Sequence, residues 1–295
     1  MKNKDSLAKT ITPDNIRVNP VSVSVLNLEE LRGKELTPFA SIDPSIYARD
    51  YLHSCYPKIP FHDEKLILDF LCAEAAITSG ADSLLEVGCG PVISHALPFV
   101  PYVKKIVLSD YLESNLEQIT AWLMKKPSAH EWFYHTELIL KNELPGKRIT
   151  AREVRDREES LRHKVNTVVR CDLLKKFPIG KKAEFPVVTC FYATEQACTA
   201  RNDWFRVIEN LGRSVQKGGL LFLSCLKNTY FYAIHDDKRN AIRIPIARIN
   251  ERIMSEALSL AGFDLQNSVI ISEKVEGLEE EAIDEIILVR SLKKI

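Results

Sequence analysis

The feature that most constrains this 295-residue chain is an apolar run that ends in an acid and a Gly-x-Gly turn. Residues 84–91 have the sequence LLEVGCGP, and a second apolar run, 106–108, is followed closely by Asp110. A strand, a glycine turn and a second strand that ends in an acid are typical of a β-α-β unit, which builds a nucleoside pocket at the carboxyl ends of parallel strands. Gly88 and Gly90 let the backbone turn sharply beside a ligand, and Asp110 is in position to bind both ribose hydroxyls.

The glycine turn also indicates which nucleoside this pocket takes. A dinucleotide site has a third glycine, which lets a helix N-terminus approach a pyrophosphate. Here that position is Ile93, and Pro91 closes the turn. Because this turn does not let a helix N-terminus approach a pyrophosphate, we expect a ligand with adenosine and ribose but no phosphate, namely S-adenosylmethionine (SAM). A nicotinamide or flavin site is the alternative.

The composition excludes several other classes of function. The 40 Lys and Arg residues balance the 40 Asp and Glu residues, so no global field attracts nucleic acid or a charged membrane. No apolar run has the length of a membrane span, and no secretory signal is visible. The seven scattered cysteines lack a Cys-x-x-Cys pair and predict free thiols in a reducing cytoplasm. We expect no metal, a small-molecule substrate, and a monomer or weak homo-oligomer.

Strand and helix patterns alternate from residue 83 onward. Strands are expected at 83–87, 105–109, 167–171, 185–191, 219–225, 267–272 and 285–290, and helices at 113–125, 201–216 and 248–261. Strands that are separated by helices predict an α/β fold with a mostly parallel sheet. The last two strands are joined by a loop alone and should therefore pair antiparallel.

The remaining segments have simpler patterns. A short β-like run at 21–25 lies in a polar leader, and a helix begins at Asp43-Pro44. A second helix is expected at 62–79, with an apolar face made of Leu66, Phe70, Ala73 and Ile77. The charge-dense run at 151–164 predicts a solvated helix on an insertion.

A set of motifs in fixed order resembles the small-molecule amine N-methyltransferases, which include the nicotinamide, phenylethanolamine and indolethylamine N-methyltransferases. The motifs are ARDYL (48–52), EVGCGP (86–91), SDY (109–111) with Asn115-Leu116, WLMKKP (122–127), RCDL (170–173), EQAC (195–198) and LKNTY (226–230). The resemblance covers residues 44–293. It implies a Rossmann-like class I methyltransferase fold with seven strands, the last antiparallel. Residues 1–60 would form a helical cover, and residues 61–295 the SAM-binding domain.

The resemblance also implies which residues contact SAM. Tyr51 and Tyr56 would close over it, and the turn that holds Glu86, Gly88 and Gly90 would lie beside its methionine part. The ribose and adenine contacts would come from Asp110, Tyr111, Asn115, Asp172 and Leu173.

On the acceptor side, the resemblance implies that Glu195 lies near the acceptor nitrogen, where a carboxylate holds an ammonium or takes its proton through water. Phe191 would lie where the pocket passes from cofactor to acceptor, and Tyr192 would contact the substrate. Two further substrate positions depart from the family pattern. Ser224 stands where the nicotinamide enzymes have an acid, and Asn228 where the catecholamine enzymes have one. The departure at Ser224 argues against nicotinamide as the substrate, and the two losses of charge together argue against a simple cationic arylamine.

The expected reaction is an in-line methyl transfer from SAM to a small amine or nitrogen heterocycle. Positioning and desolvation supply most of the catalysis in such a reaction, with Glu195, Tyr51 and Phe191 as the catalytic candidates and the rings favouring the cationic sulfur. One alternative is a cyclase in which the amino group of SAM attacks its own γ-carbon and gives azetidine-2-carboxylate and methylthioadenosine. A non-catalytic SAM-binding module and a nicotinamide dehydrogenase are the others.

Overall fold

The computed structural model describes residues 42–235, 240–278 and 283–295 of the chain. The β-like run expected at 21–25 and most of the segment expected to cover the site lie outside these residues. Within the described residues, no helix is long and apolar enough to cross a lipid bilayer. All seven cysteines lie in the described part of the chain, and all are free thiols.

A seven-stranded sheet with the strand order β3-β2-β1-β4-β5-β9-β8 forms the centre of the fold. Its strands are β1 (Leu84–Val87), β2 (Ile106–Asp110), β3 (Val165–Arg170), β4 (Phe185–Phe191), β5 (Val215–Leu226), β8 (Phe263–Lys274) and β9 (Glu285–Lys293). Strands β1 to β5 pair in parallel, and β9 runs antiparallel to both β5 and β8. The predicted α/β sheet with an antiparallel last strand is therefore confirmed, as is the antiparallel pairing of the last two strands.

The helices cover both faces of this sheet. They are α1 (Pro44–Cys55), α2 (His62–Glu74), α3 (Glu113–Leu123), α4 (Phe133–Glu143), α5 (Ala151–Lys164), α6 (Ala193–Gln196), α7 (Arg201–Gly212) and α8 (Glu251–Leu260), with 3-10 helices at Ala75–Thr78 and Ser94–Phe99. Alternate residues of a strand point to opposite faces. Leu84 accordingly joins the apolar core under α1, α2 and α4, whereas Leu85 joins the core under α7 and α8.

Several predicted elements need correction. The helix predicted at 62–79 ends at Glu74, and the tighter 3-10 turn that follows shifts the phase, so that Ile77 is 54% exposed. Ala73 is also exposed and Leu66 only half-buried, because α2 buries Ile67, Leu68 and Leu71 against the 94–99 segment and α4.

Three further differences lie elsewhere in the chain. Helix α7 ends at Gly212 rather than at residue 216, since β5 begins at Val215. The charged helix α5 leads directly into β3 and so belongs to the crossover rather than to an insertion. Helix α4 and a hairpin formed by β6 (Phe231–His235) and β7 (Ala241–Pro245) were not predicted.

The strand order brings the motifs to one edge of the sheet. The chain runs outward from β1 through β2 to β3, and then returns to place β4 on the other side of β1. A crevice opens at the carboxyl ends of the strands where the order reverses in this way. Helix α1 lies over the crevice and is tied to the hairpin by a 3.1 Å hydrogen bond between the hydroxyls of Tyr47 and Tyr232.

Candidate active site

A cavity of about 640 Å³ lies in this crevice. Its volume is within the range of small-molecule sites in proteins. The walls come from α1, from the loops after β1, β2, β3 and β4, and from the end of β7. The predicted residues that line it are Tyr51, Tyr56, Gly88, Gly90, Asp110, Tyr111, Asn115, Asp172, Leu173 and Phe191.

Asp110 is the most highly coordinated acid on the cavity wall. Its Oδ2 accepts a hydrogen bond from the N–H of Gly90 at 2.8 Å, and its Oδ1 accepts from the N–H of Leu112 and from Asn115 Nδ2, both at 2.9 Å. Burial raises the pKa of Asp110, and these donors oppose the rise. A carboxylate has about four lone-pair sites, so a further hydroxyl donor can be accommodated.

The glycine turn keeps the backbone open on the same wall. Gly88 has a φ of +70° and Gly90 of +61°, which glycine adopts without a steric cost. A Cβ atom on Gly88 would lie 2.3 Å from the Cβ of Ala193, the first residue of α6. Only glycine therefore lets the turn after β1 approach α6 this closely.

The cavity fits SAM in size, in charge and in unused polar groups. Asn115 is buried, and its Oδ1 lacks a hydrogen-bond partner among the described residues. A buried polar oxygen without a partner is costly, and a ligand that donates to Asn115 would remove this cost. Asp110 and Asp172 supply acceptors on the same wall for hydroxyl and amino groups.

Two tyrosines of α1, Tyr47 and Tyr51, and Tyr56, which directly follows α1, form the roof of the cavity. The rings of Tyr47 and Tyr51 stack at a centroid distance of 5.4 Å, and Tyr56 lies 5.7 Å from Tyr51. Burial raises the pKa of Tyr51 and of Tyr56 well above the usual range. Both hydroxyls therefore stay protonated, and the rings present neutral faces to a bound cation.

His95 lies on the cavity wall between two buried acids. Its Nε2 is 3.0 Å from Glu64 Oε2, and its Nδ1 is 3.6 Å from Glu86 Oε1. Burial alone would lower the pKa of His95, but the two carboxylates raise it to about 10. His95 is therefore an imidazolium at neutral pH, and it also packs on the Phe191 ring at 4.6 Å.

A second cavity of about 50 Å³ shares the side chains of Tyr51, Tyr56 and Gln196 with the large one. Asp63 and Glu64, at the start of α2, supply its two acids. The rest of its wall is formed by Cys55, Tyr192, Leu226, Tyr232, Ala233 and Ile283. It lies next to α1, the start of α2 and strand β6 of the hairpin.

The carboxylate of Glu195 is held by hydrogen bonds within the protein. Its side chain is completely buried, and the carboxylate accepts hydrogen bonds from the N–H of Leu226 at 2.9 Å and from Thr194 Oγ1 at 3.1 Å. Burial raises its pKa. Glu195 thus joins α6 to the end of β5 and lines neither of these two cavities, and its contact with the acceptor stays a prediction.

The other acceptor-side predictions are also altered. Ser224 is buried and Asn228 is exposed, and neither lines the large or the small cavity described here. Tyr192 lines the small cavity rather than the large one, and its hydroxyl donates to Asp63 Oδ2 at 3.1 Å. Glu86, which was predicted to contact SAM, does not line the large cavity. It lies behind His95, which does line it.

Sequence reasoning missed residues that come to the site from distant segments. His95, Tyr47 and Gln196 line the large cavity, and Asp63 and Tyr232 line the small one. The available signals were weak. His95 lies five residues beyond the second glycine of the turn, and Asp63 is the second residue of a helix, where an acid is ordinary.

Comparison with known proteins identifies the family of the chain. The NNMT/PNMT/TEMT family model matches residues 39–294 of the chain. The chain is 29% identical to human nicotinamide N-methyltransferase over 238 residues, which covers 76% of this chain and 84% of the relative. It is 28% identical to mouse indolethylamine N-methyltransferase over 186 residues, or 62% of this chain and 66% of the relative.

A solved structure of similar fold is the complex of DhpI with S-adenosylhomocysteine, at 10% identity and a TM-score of 0.52. It matches 85% of this chain and 93% of its own, and it supports the fold alone. SAM is the cofactor that the family uses. On the match of residues 39–294, the chain belongs to the NNMT/PNMT/TEMT family of SAM-dependent methyltransferases.

Proposed function

We propose that the protein transfers a methyl group from SAM to the nitrogen of a small amine or nitrogen heterocycle. The observation that carries the proposal is the convergence of Asp110, Asn115 and the α1 tyrosines on one cavity of about 640 Å³ at the switch point of the sheet. The family match supports the reaction type. The residue at position 224 argues against nicotinamide, since Ser224 lacks the charge that the nicotinamide enzymes have there.

The roles of the lining residues follow from their chemistry. Asp110 accepts a hydrogen bond from a ribose hydroxyl at the position that its three donors leave free. The Gly88–Gly90 turn lets the methionine part approach the backbone. The adenine end is bounded by Tyr111, Asn115, Asp172 and Leu173.

The residues of this chain contribute mainly position and a dry environment. When bound, SAM supplies a methyl carbon that is activated by a positively charged sulfur. The nitrogen lone pair forms the new bond while the carbon–sulfur bond breaks and its electron pair stays on sulfur. Tyr51, Tyr56 and Phe191 surround the space with aromatic faces, which exclude water and favour a cation.

Mass spectrometry of the purified protein with SAM tests the proposal. S-adenosylhomocysteine that forms only in the presence of an amine would establish methyl transfer, and the methylated product would identify the acceptor. Absence of any product, with SAM bound, would contradict the proposal and favour a non-catalytic SAM-binding protein. A binding titration with NAD serves as the control, because a dehydrogenase would bind NAD.

A second candidate is the cyclisation of SAM to azetidine-2-carboxylate. The observation that favours it is that Glu195 and Asn228 lie away from both cavities, so that neither meets a second substrate. The amino nitrogen of SAM would bond to its own γ-carbon as the bond from that carbon to sulfur breaks. The electron pair would leave with methylthioadenosine, and the new ring nitrogen would release one proton.

The same experiment separates the two candidates. Methylthioadenosine that forms from SAM alone, in amounts stoichiometric with azetidine-2-carboxylate, would establish cyclisation. S-adenosylhomocysteine that depends on an added amine would exclude it as the main reaction.

A further inference from the structure

We propose that Asp63 binds the nitrogen of the acceptor in the small cavity, and that this cavity selects a compact aliphatic ammonium. The inference deepens the proposed methyl transfer, because it names the residue that recognises the acceptor and the size of the group that it recognises. It assigns recognition of the acceptor to helix α2. Glu195, which follows β4, and Asn228, which follows β5, line neither cavity.

The position of the small cavity supports this assignment. Tyr51, Tyr56 and Gln196 line both cavities, so the two cavities meet at these three side chains. Methyl transfer requires the reacting atoms to lie about 3–3.5 Å apart. The assignment therefore requires that the acceptor nitrogen bind at this shared boundary, next to the methyl group of SAM in the main cavity.

Asp63 has a carboxylate that is not neutralised by the protein. Among the described residues, no Lys, Arg or His forms an ion pair with it. Its hydrogen-bond partners are uncharged, namely the Tyr192 hydroxyl, 3.1 Å from Oδ2, and the backbone N–H groups of Asp63 and Glu64. Its neighbour Glu64 differs, because Ser94 and His95 occupy both of its oxygens. Asp63 is therefore the acid in this cavity that still needs a positive partner.

The remaining walls suit a small cation. The side chains of Tyr51, Tyr56, Tyr192 and Tyr232 line the cavity, and aromatic faces attract ammonium groups, including alkylated ones. A volume of about 50 Å³ accommodates about four non-hydrogen atoms, given about 10–15 Å³ for each water-sized site. The cavity therefore fits an alkylammonium head with few carbons better than an arylamine.

A carboxylate at this point assists the reaction in two ways. The bound ammonium gives its proton to Asp63, which is partly exposed and passes the proton on to water, and the neutral amine then attacks. During transfer the positive charge leaves sulfur and appears on nitrogen. An anion beside the nitrogen stabilises that charge as it develops.

Calorimetric titration of the protein loaded with S-adenosylhomocysteine tests the assignment. The probes are dimethylammonium chloride and isopropanol, which are both small and carry two methyl groups but differ in charge. The wild-type protein is expected to bind dimethylammonium and not isopropanol. Asp63→Asn should weaken dimethylammonium binding by about tenfold or more, as expected for the loss of a charge-assisted hydrogen bond. The affinity for S-adenosylhomocysteine should stay within about twofold.

Asp69→Asn is the matched control, since Asp69 lies on the same helix but points to solvent and Asn142. It should leave dimethylammonium binding unchanged. Equal binding by wild type and Asp63→Asn, or no binding by wild type, would overturn the assignment. Binding that depends on Asp63 in a protein that forms no S-adenosylhomocysteine with any amine would instead contradict the proposed methyl transfer and leave the assignment standing.

Discussion

The Oδ2 atom of Asp110 accepts a hydrogen bond from the N–H of Gly90 at a distance of 2.8 Å. This contact joins the turn after β1 to the end of β2, which are twenty residues apart in sequence. Leu112 and Asn115 hold the other carboxylate oxygen, so the acid is fixed before any ligand binds. A preorganised acceptor loses little entropy on binding, so a ligand hydroxyl can bind Asp110 without first ordering its side chain.

Asp110→Asn is expected to weaken SAM binding by roughly 10- to 100-fold, because it removes the charge and one of the two acceptor oxygens. Isothermal titration with SAM measures the change. Asp82→Asn is the control, since Asp82 is an exposed acid that pairs with Lys104 on the surface. Unchanged SAM affinity in Asp110→Asn would show that the carboxylate does not contact the ligand.

Gly88→Ala is expected to reduce SAM affinity and to destabilise the fold by more than about 2 kcal/mol, through the steric clash and the strained φ together. The clash arises because the added Cβ would lie 2.3 Å from that of Ala193. Gly80→Ala separates the two effects. Gly80 also has a positive φ, of +84°, but no atom lies within 4 Å of its added Cβ. Chemical denaturation of both variants makes the comparison, and equal destabilisation would contradict the close approach of α6.

Tyr51→Ala should weaken SAM binding and turnover together, because Tyr51 stacks on Tyr47 and forms part of the roof of both cavities. Tyr51→Phe keeps the ring and should retain most of the affinity. Direct binding and initial-rate measurements on the two variants test this expectation. If Tyr51→Ala bound SAM as tightly as wild type, α1 would not cover the cofactor.

The fold was predictable because its signals are local. The continuous apolar runs at β1 and β2 and the glycine turn between them identify a parallel sheet with a switch point, and the sheet order confirms it. Element boundaries such as the end of α2 were less predictable, because packing against the 94–99 segment, far along the chain, decides which face is buried. The hairpin β6–β7 had no strong turn signal in the sequence.

The residues of the candidate site likewise divide into those that local motifs predict and those that depend on contacts between distant segments. Asp110 and the glycines belong to consecutive motifs of one β-α-β unit, so their convergence follows from the parallel pairing of β1 with β2. Glu195 was assigned from a motif alone, but the end of β5 supplies the amide of Leu226, which holds its carboxylate away from the cavities. His95 reaches Glu64 across 31 positions, and no pattern in one sequence reports a contact of that kind.

His95→Gln is expected to destabilise the protein by about 3–5 kcal/mol near pH 6, the usual effect of breaking a buried ion pair. The folded-state pKa of His95, about 10, exceeds the ordinary value of 6.5 because Glu64 and Glu86 face it. Its contribution is therefore complete below pH 6.5 and is lost as the pH rises through 10. Denaturation from pH 6 to pH 10 should show the difference between wild type and variant shrinking. A difference that is independent of pH would exclude a charged His95.

Asp63→Asn should stabilise the protein at pH 7.5, although it removes the proposed acceptor contact. Burial and the nearby charge of Glu64 raise the pKa of Asp63 to about 6. Because the folded protein binds the proton of Asp63 more tightly than the unfolded chain does, the contribution of Asp63 to stability is greatest below its ordinary pKa of 3.8. This contribution is lost as the pH rises through about 6. The charged form thus costs stability at neutral pH, by about 1–2 kcal/mol for a partly buried group.

The expected result is a higher melting temperature for Asp63→Asn at pH 7.5 and little difference from wild type near pH 4. Tyr51, Tyr56, Tyr192 and Tyr232 face this acid from the other elements of the cavity, and none of them supplies a positive charge. The control is Asp82→Asn, because pairing with Lys104 lowers the pKa of Asp82, so this variant should gain no stability as the pH rises. If Asp63→Asn were less stable than wild type at pH 7.5, a cation of the protein must already neutralise Asp63, and the acid would not be available to an amine.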